Sequence, residues 1–227
     1  MLVERGSFRP VTHVNVDMMR CAMEKFTAEP SVAGKPVVQV MELTMNNLLA
    51  TGAMDRKDFL ARTDVLSACG MTVMVSDYSE FFRLAAYFAR LTKERIGLVL
   101  GVPTLLEIFQ EKYYAQLPGG ILESFGRLFK NDLKLFVYPL QEQIGGMLST
   151  VETLQVAPDL QKLYEYLRDR GSFVGLDNYK QEYLSIFSRD VLNRIAAHDA
   201  EWEKMVPAAV ADLIKARGFF GYTKGTR

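Results

Sequence analysis

Short apolar runs alternate along the chain with longer stretches in which apolar residues recur at helical spacing. Five such runs predict β-strands, at about residues 1–5, 37–41, 72–76, 96–100 and 133–138. Helical patterns lie between them, at residues 16–26, 56–69, 79–91, 105–113 and 121–129. In the third helix, Phe81, Leu84, Ala85 and Phe88 fall at positions i, i+3, i+4 and i+7, which form one helix face. Strands that alternate with helices are typical of an α/β fold with a parallel sheet.

The pattern changes after Pro139. Residues 145–159 predict a loop, and helical patterns dominate the rest, at residues 160–168, 189–197 and 207–217. Pro207 and Gly218 stand where the last helix should begin and end, which is the usual placement of these residue types. The chain is therefore expected to have an α/β core at residues 1–139 and a mainly helical segment at residues 140–227.

Charge and composition narrow the classes of partner. The 227 residues include 27 Lys and Arg and 27 Asp and Glu, so the formal net charge is zero, whereas proteins that bind long nucleic acids usually carry a basic excess. No apolar run approaches the roughly 20 residues that cross a bilayer, and the N-terminus lacks the pattern of a signal peptide. Two cysteines, Cys21 and Cys69, are too few for a disulfide scaffold. We expect a cytoplasmic protein with neither a membrane nor a long nucleic acid as partner. Homo-oligomerisation and a longer parent chain stay open.

The most informative segment is the turn at residues 6–15, between the first predicted strand and the first predicted helix. Gly6 and Ser7 would let backbone N–H groups approach a phosphate closely, and the helix N-terminus behind them adds partial positive charge. Arg9 and His13 could add charge or hydrogen bonds. A tight strand–loop–helix turn with no ligand accounts for the same residues equally well.

This turn resembles the N-terminal signature of the nicotinamide- and nicotinate-mononucleotide adenylyltransferases, Gly-(Ser/Thr)-Phe-x-Pro-x-(His/Thr)-x-x-His. Thr12 falls on the first His/Thr position, and Asn15 replaces the second histidine. Residues 98–109 resemble the family's fourth strand and following helix, with Pro103 in place of an aspartate. Residues 184–191 stand where the family has Ile-Ser-Ser-Thr-x-Ile-Arg, and residues 202–222 resemble its C-terminal Val-Pro-x-x-Val-x-x-Tyr-Ile helix.

The resemblance implies a Rossmann-like nucleotidyltransferase fold: a parallel sheet of five or more strands flanked by helices, completed by the helical C-terminal segment. It implies transfer of an adenylyl group from ATP, used with Mg²⁺, to nicotinamide or nicotinate mononucleotide, with release of pyrophosphate. By resemblance, His13, Asn15 and Arg189 would take part in catalysis. The other matched positions would bind the nucleotides: Gly6, Ser7, Phe8, Arg9, Thr12, Gly101, Thr104 and Ser188. Independently, ligands of open α/β sheets bind at the carboxyl ends of the strands.

Two other functions stay open. Asparagine at position 15 can donate a hydrogen bond but carries no charge, which favours a nucleotide-binding or protein-interaction module that has lost catalysis. A transferase of the same fold with another acceptor is the third hypothesis.

Several further side chains have two interpretations. Three carboxylates after predicted strands or at a helix start could bind Mg²⁺, but we favour solvated or capping roles and assign no metal site: Glu42, Asp77 and Asp17. The tyrosines after Lys112, Tyr113 and Tyr114, could form a ring-stacking wall or belong to the core. Lys93 and Arg95 are interpreted as solvated charges.

Overall fold

The computed structural model describes residues 1–49, 55–141 and 146–223. Eight strands lie in this part of the chain: β1 (Leu2–Arg5), β2 (Gln39–Thr44), β3 (Thr72–Ser76), β4 (Gly97–Gly101), β5 (Lys134–Tyr138), β6 (Leu140–Gln141), β7 (Leu148–Ser149) and β8 (Phe173–Gly175). Six of them form a parallel sheet in the order β3-β2-β1-β4-β5-β8. β6 and β7 form a separate antiparallel pair.

The described residues also contain nine α-helices: α1 (His13–Thr27), α2 (Met45–Leu49), α3 (Arg56–Ala68), α4 (Phe81–Leu91), α5 (Val102–Ile108), α6 (Gly120–Leu128), α7 (Gln161–Asp169), α8 (Ser188–Ala196) and α9 (Ala208–Arg217). Short 3₁₀ turns link several of them.

Side chains that alternate along the central strands divide the core into two layers. On β4, Leu98 and Leu100 face one layer and Val99 faces the other, because successive side chains of a strand point to opposite faces. Helices α4, α5, α6 and α7 cover the first face. Helices α1, α3, α8 and α9 cover the second face. A sheet buried on both sides explains why its strands read as continuous apolar runs rather than as alternating ones.

The predicted α/β class is confirmed: a parallel sheet of six strands is flanked by helices in a Rossmann-like arrangement. The strand order places β1 between β2 and β4, and the chain builds outward from β1 in both directions. The carboxyl ends of β1 and β4 therefore form the topological switch point, where such sheets bind ligands.

The differences from the sequence prediction are local. The helix expected at residues 105–113 is two elements, since α5 begins at Val102 and ends at Ile108, before a 3₁₀ turn over Glu111–Tyr114. The sixth strand, β8, was not predicted, because three residues are too few to show a strand pattern. It comes from beyond residue 139 and pairs with β5. In the loop expected at residues 145–159, residue 145 lies outside the described residues, and β7 occupies residues 148–149.

Candidate functional site

A cleft of about 740 Å³ opens at the carboxyl ends of β1 and β2 and beside α5, next to the switch point. Its volume lies within the range typical of small-molecule sites, about 300–1,000 Å³. Neutral side chains that can form hydrogen bonds make up much of its wall: Ser7, Thr44, Asn46, Ser79, Thr104 and Gln116. Of the predicted binding residues, the structure thus brings Gly6, Ser7 and Thr104 together here.

Arg5, at the end of β1, is held in place by the protein itself. Its Nε lies 2.6 Å from Glu42 of the neighbouring β2, and its terminal nitrogens donate to the carbonyls of Tyr78 (2.7 Å) and Ser79 (2.8 Å). The guanidinium also lies 4.4 Å from the centre of the Phe81 ring. Arg5 therefore fixes the loop after β3 against the cleft, and its hydrogen-bonding capacity is largely used within the fold.

Glu42 has a structural role rather than the magnesium-binding role considered from the sequence. Its side chain is fully buried, and besides the ion pair with Arg5 it accepts a hydrogen bond from the Ser76 hydroxyl. Asp17 is likewise buried and hydrogen-bonded, and Asp77 is exposed. Within the described residues, no three His, Cys, Asp or Glu side chains are grouped so that they could hold a metal ion.

The two tyrosines after Lys112 divide between the two interpretations. Tyr113 lines the cleft and its side chain is 46% exposed. Tyr114 also lines the cleft but is buried, and its hydroxyl donates to the carbonyl of Ile108 at 2.8 Å. Burial raises the pKa of Tyr114 to about 12, as expected for a core phenol. Both rings border the cleft, and Tyr113 is the more exposed of the two and the better placed to stack on a bound molecule.

The turn predicted to bind phosphate is packed closely on itself. A Cβ atom at Gly6 would lie 2.8 Å from the Phe8 ring, so position 6 requires glycine for this packing. Phe8 is buried and adopts a φ of 45°, a conformation uncommon for a residue with a side chain. Phe8 thus supports the turn from beneath and belongs to the core.

Arg9 turns away from the cleft toward α3. Its Nε lies 2.6 Å from Asp58, whose other carboxylate oxygen pairs with Arg62. Arg62 also donates to the carbonyl of Ser7 at 3.3 Å. This ion-pair network fixes the turn on α3 and directs the Arg9 guanidinium toward Asp58 rather than into the cleft.

Asn15 completes a capping box at the start of α1. Its Oδ1 accepts hydrogen bonds from the backbone N–H of Thr12 at 3.0 Å and from the Thr12 hydroxyl at 3.1 Å. Its Nδ2 donates to Glu4 at 2.9 Å. These bonds satisfy the helix N-terminus from within the protein. The side chain at the position of the family's second histidine therefore points at β1.

Glu4 is a buried carboxyl group in the central strand that was not singled out from the sequence. It is 1% exposed, and its Oε2 has no hydrogen-bond partner within the described residues. Burial raises the pKa of Glu4 to about 8, although the bond from Asn15 acts in the opposite direction. Its position in the sequence could have indicated burial. Glu4 follows Leu2 by two residues, so both side chains lie on the same, inward face of β1.

His13, the first residue of α1, does not line the cleft. Its ring stacks on Tyr183, with 4.8 Å between ring centres and an angle of 8° between planes. Burial and the nearby charge of Lys180 lower the pKa of His13, which favours a neutral imidazole. In this arrangement His13 contacts the C-terminal segment of its own chain.

The contact between His13 and Tyr183 is one end of a longer contact between α1 and the C-terminal segment. Residues 177–183, here called the strap, run along α1 in the opposite direction. Asp177 pairs with Lys25, the carbonyl of Asn178 accepts from Cys21 at 3.1 Å, and the N–H of Lys180 donates to Asp17 at 2.9 Å. The strap covers one side of α1 from its last turn to its first residue.

The remaining predicted residues lie elsewhere. Gly101 is the N-cap of α5 and does not line the cleft. Ser188 and Arg189 begin α8, whose buried residues Val191 and Ile195 pack in the second layer of the core. Arg189 is exposed and makes no ion pair or side-chain hydrogen bond within the described residues.

In comparisons with known proteins, no family model matches the chain and no curated protein sequence matches it. Across residues 1–49, 55–141 and 146–223, no helix combines the length and the apolar character needed to cross a bilayer. The function therefore has to be inferred from the cleft and the residues around it.

Proposed function

We propose that the protein binds a nucleotide in the cleft beside Gly6, Ser7 and Thr104. The observation that carries this proposal is the position of the cleft, at the carboxyl ends of β1 and β2 in a Rossmann-like sheet, next to the switch point. Its neutral polar wall suits the hydroxyl groups and ring nitrogens of a nucleoside, and the exposed ring of Tyr113 can stack on a base.

The charges around the cleft favour ATP as its magnesium complex over free ATP. Two cations line the cleft, Arg5 and Lys112. The charge of Arg5 is balanced by Glu42, whereas Lys112 has no carboxylate partner within the described residues. Glu80 and Glu107 also line the cleft. Such a site offers little charge to neutralise a free triphosphate, whereas bound Mg²⁺ lowers the negative charge that enters.

The second candidate is the adenylyltransferase activity, with nicotinamide or nicotinate mononucleotide as acceptor. The resemblance of the turn at residues 6–15 and of residues 202–222 to that family supports it. The positions of the three candidate catalytic residues favour the binding module instead: Asn15 is bonded to Glu4, His13 stacks on Tyr183, and Arg189 begins a helix on the second face.

Calorimetric titration with ATP and Mg²⁺ tests the first proposal. Removing a base-stacking ring costs about 1–3 kcal/mol by analogy with stacked bases, so Tyr113→Ala should weaken binding by roughly fivefold or more. Tyr166→Ala is the matched control, because Tyr166 is also exposed but lies on α7 and does not line the cleft. If the parent does not bind ATP, or both variants bind equally well, the nucleotide is not held in this cleft.

A pyrophosphate-release assay with ATP, Mg²⁺ and a set of mononucleotides separates the two candidates. Binding without pyrophosphate release supports the binding module. Release with a pyridine mononucleotide supports the adenylyltransferase, and release with another acceptor supports the third hypothesis. If there is activity, Asn15→His should raise it where the rest of the family's site is intact, and His13→Ala should abolish it where His13 has taken over the histidine's role. A rate unchanged in both variants would exclude the roles that the family resemblance gives these residues.

A further inference from the structure

A second groove lies along α4, away from the cleft of the proposed function. It has a volume of about 670 Å³. Five cationic side chains line it: Arg83, Arg90, Lys93, Arg127 and Lys130. Glu94 is the carboxylate among its lining residues, and it pairs with Lys35 at 2.6 Å. In a chain with equal numbers of acidic and basic residues, this groove concentrates positive charge on one surface.

Three of the five cations have no carboxylate partner in the described part of the chain. Arg83 pairs with Glu80, and Arg127 pairs with Glu123. Arg90, Lys93 and Lys130 form no such pair and are exposed. The interpretation of Lys93 as a solvated charge is correct for this side chain by itself, but it leaves out the other cations that share the groove. The same interpretation is wrong for Arg95, whose side chain is 17% exposed and pairs with Glu29 and Asp132.

Aromatic rings form part of the groove and are already in contact with cations or other rings. Phe82 is faced by Arg83 at 5.5 Å and by Arg127 at 5.6 Å. Arg90 lies 5.7 Å from the Tyr87 ring, which also contacts Tyr78 with 5.3 Å between centres. These contacts place the guanidinium groups over the faces of the rings. They also leave little ring surface for stacking a base, which single-stranded nucleic acids use when they bind proteins.

The groove is long enough for a short peptide. Helix α4 has 11 residues, which corresponds to about 16 Å of helix. An extended peptide rises about 3.3 Å per residue, so roughly five residues span the groove. Ala86 and Ala89 line it between the positions of Arg83 and Arg90, and their small side chains leave room for a backbone.

We propose that the groove along α4 binds an acidic peptide segment of a partner protein through Arg90, Lys93 and Lys130. The carboxylates of the peptide would pair with the three cations that have no partner within the fold. This proposal is independent of nucleotide binding, because none of the three side chains lines the cleft.

Fluorescence anisotropy of fluorescein-labelled hexaglutamate, titrated with the full chain at low salt, tests the proposal. We expect saturable binding that weakens as salt is added. Replacing all three cations with alanine (Arg90→Ala, Lys93→Ala, Lys130→Ala) should weaken binding about tenfold or more, as the loss of three exposed ion pairs implies. Arg90→Gln is a milder variant with the same expected direction, and it provides the answer if the triple variant does not fold.

The matched control replaces three exposed cations outside the groove that likewise form no ion pair in the described residues, Arg56, Lys57 and Arg170, and changes the net charge equally. It should bind hexaglutamate within about twofold of the parent. Equal losses in both triple variants would show general attraction to positive charge and overturn the proposal. A labelled hexauridylate that binds more tightly than hexaglutamate and displaces it would identify a nucleic acid site instead.

Discussion

The side-chain amide of Asn15 donates a hydrogen bond to the buried carboxyl group of Glu4 across 2.9 Å. This bond joins the first turn of α1 to the central strand of the sheet, beneath the turn that was predicted to bind phosphate. Because Oε2 of Glu4 has no partner in the described residues, the pair is sensitive to the protonation of Glu4.

Protonation of Glu4 should make the stability of the protein fall as pH rises. The pKa of Glu4 is raised from an ordinary value of 4.5 to about 8 by burial, so between these values the folded state holds a proton that the unfolded chain has released. Glu4 therefore lowers the free energy of unfolding progressively over this range, by up to about 1.4 kcal/mol per pH unit, with no further change above it. Glu4→Gln should remove this dependence, so its stability relative to the parent should increase from pH 5 to pH 8. Urea denaturation at several pH values measures this difference.

Glu165 provides a control of opposite sign. Hydrogen bonds from Gln161 and Lys162 lower the pKa of Glu165, so its contribution is present at neutral pH and is lost on acidification. Glu165→Gln should therefore lose stability relative to the parent only as pH rises toward the ordinary value of 4.5, and the difference should be constant from pH 5 to pH 8. The difference in stability between Glu4→Gln and the parent could instead be constant from pH 5 to pH 8. That result would show that Glu4 does not hold its proton in the folded state.

Removing the Asn15 side chain should destabilise the protein even where no ligand is present. Asn15→Ala loses the acceptor for the Thr12 N–H and the donor to Glu4, which together should cost about 1–3 kcal/mol. Asn15→Asp keeps the acceptor but places a carboxylate against Glu4, so its loss should be larger at pH 8 than at pH 5. Chemical denaturation measures both effects. If Asn15→Ala is as stable as the parent, the capping box contributes nothing, and a role in ligand binding becomes the better explanation of this residue.

The sequence predicted the layers of this fold well because buried parallel strands and amphipathic helices leave strong periodic signals. The five strands predicted from apolar runs are all present, and eight predicted helical stretches overlap observed helices. β8 was missed because its pairing with β5 depends on a distant part of the chain and not on a local pattern.

The site was less predictable, because side-chain direction is set by tertiary contacts. Nothing local to Arg9 indicates that it pairs with Asp58, and nothing local to His13 indicates that it stacks on Tyr183. A motif gives residue types at a spacing, whereas the partner each side chain finds is decided by which helix packs beside it. The roles in nucleotide binding and catalysis assigned by resemblance stay predictions.

Loss of the Asp17 carboxylate should release the strap from α1. Burial alone would raise the pKa of Asp17, but hydrogen bonds from the N–H of Lys180, the Tyr138 hydroxyl and Arg20 keep it below its usual value. Each bond to a charged acceptor is worth about 1.5–3 kcal/mol, so Asp17→Ala should cost at least that amount. Hydrogen exchange should speed up at residues 177–183.

Asp177→Ala, which breaks an exposed pair with Lys25, should cost about 1 kcal/mol or less. Equal exchange of the strap in Asp17→Ala and the parent would contradict the assigned role of Asp17.

Gly97 tests how closely the middle of the sheet is packed. It lies on β4 between β1 and β5, and a Cβ atom there would be 2.7 Å from both Leu2 Cδ2 and Phe136 Cε2. Both neighbours are fully buried, so neither can move without disturbing the second layer of the core. Gly97→Ala should therefore destabilise the protein by about 1–3 kcal/mol, the usual cost of overpacking a core.

Gly126→Ala is the matched control, because Gly126 is an exposed position within α6 where an added Cβ meets nothing within 4 Å. There the same substitution should stabilise by about 0.5–1 kcal/mol, since alanine loses less conformational freedom than glycine in a helix. The urea midpoints of unfolding of the two variants should thus shift in opposite directions. A Gly97→Ala variant as stable as the parent would show that the strands can separate locally to admit a methyl group.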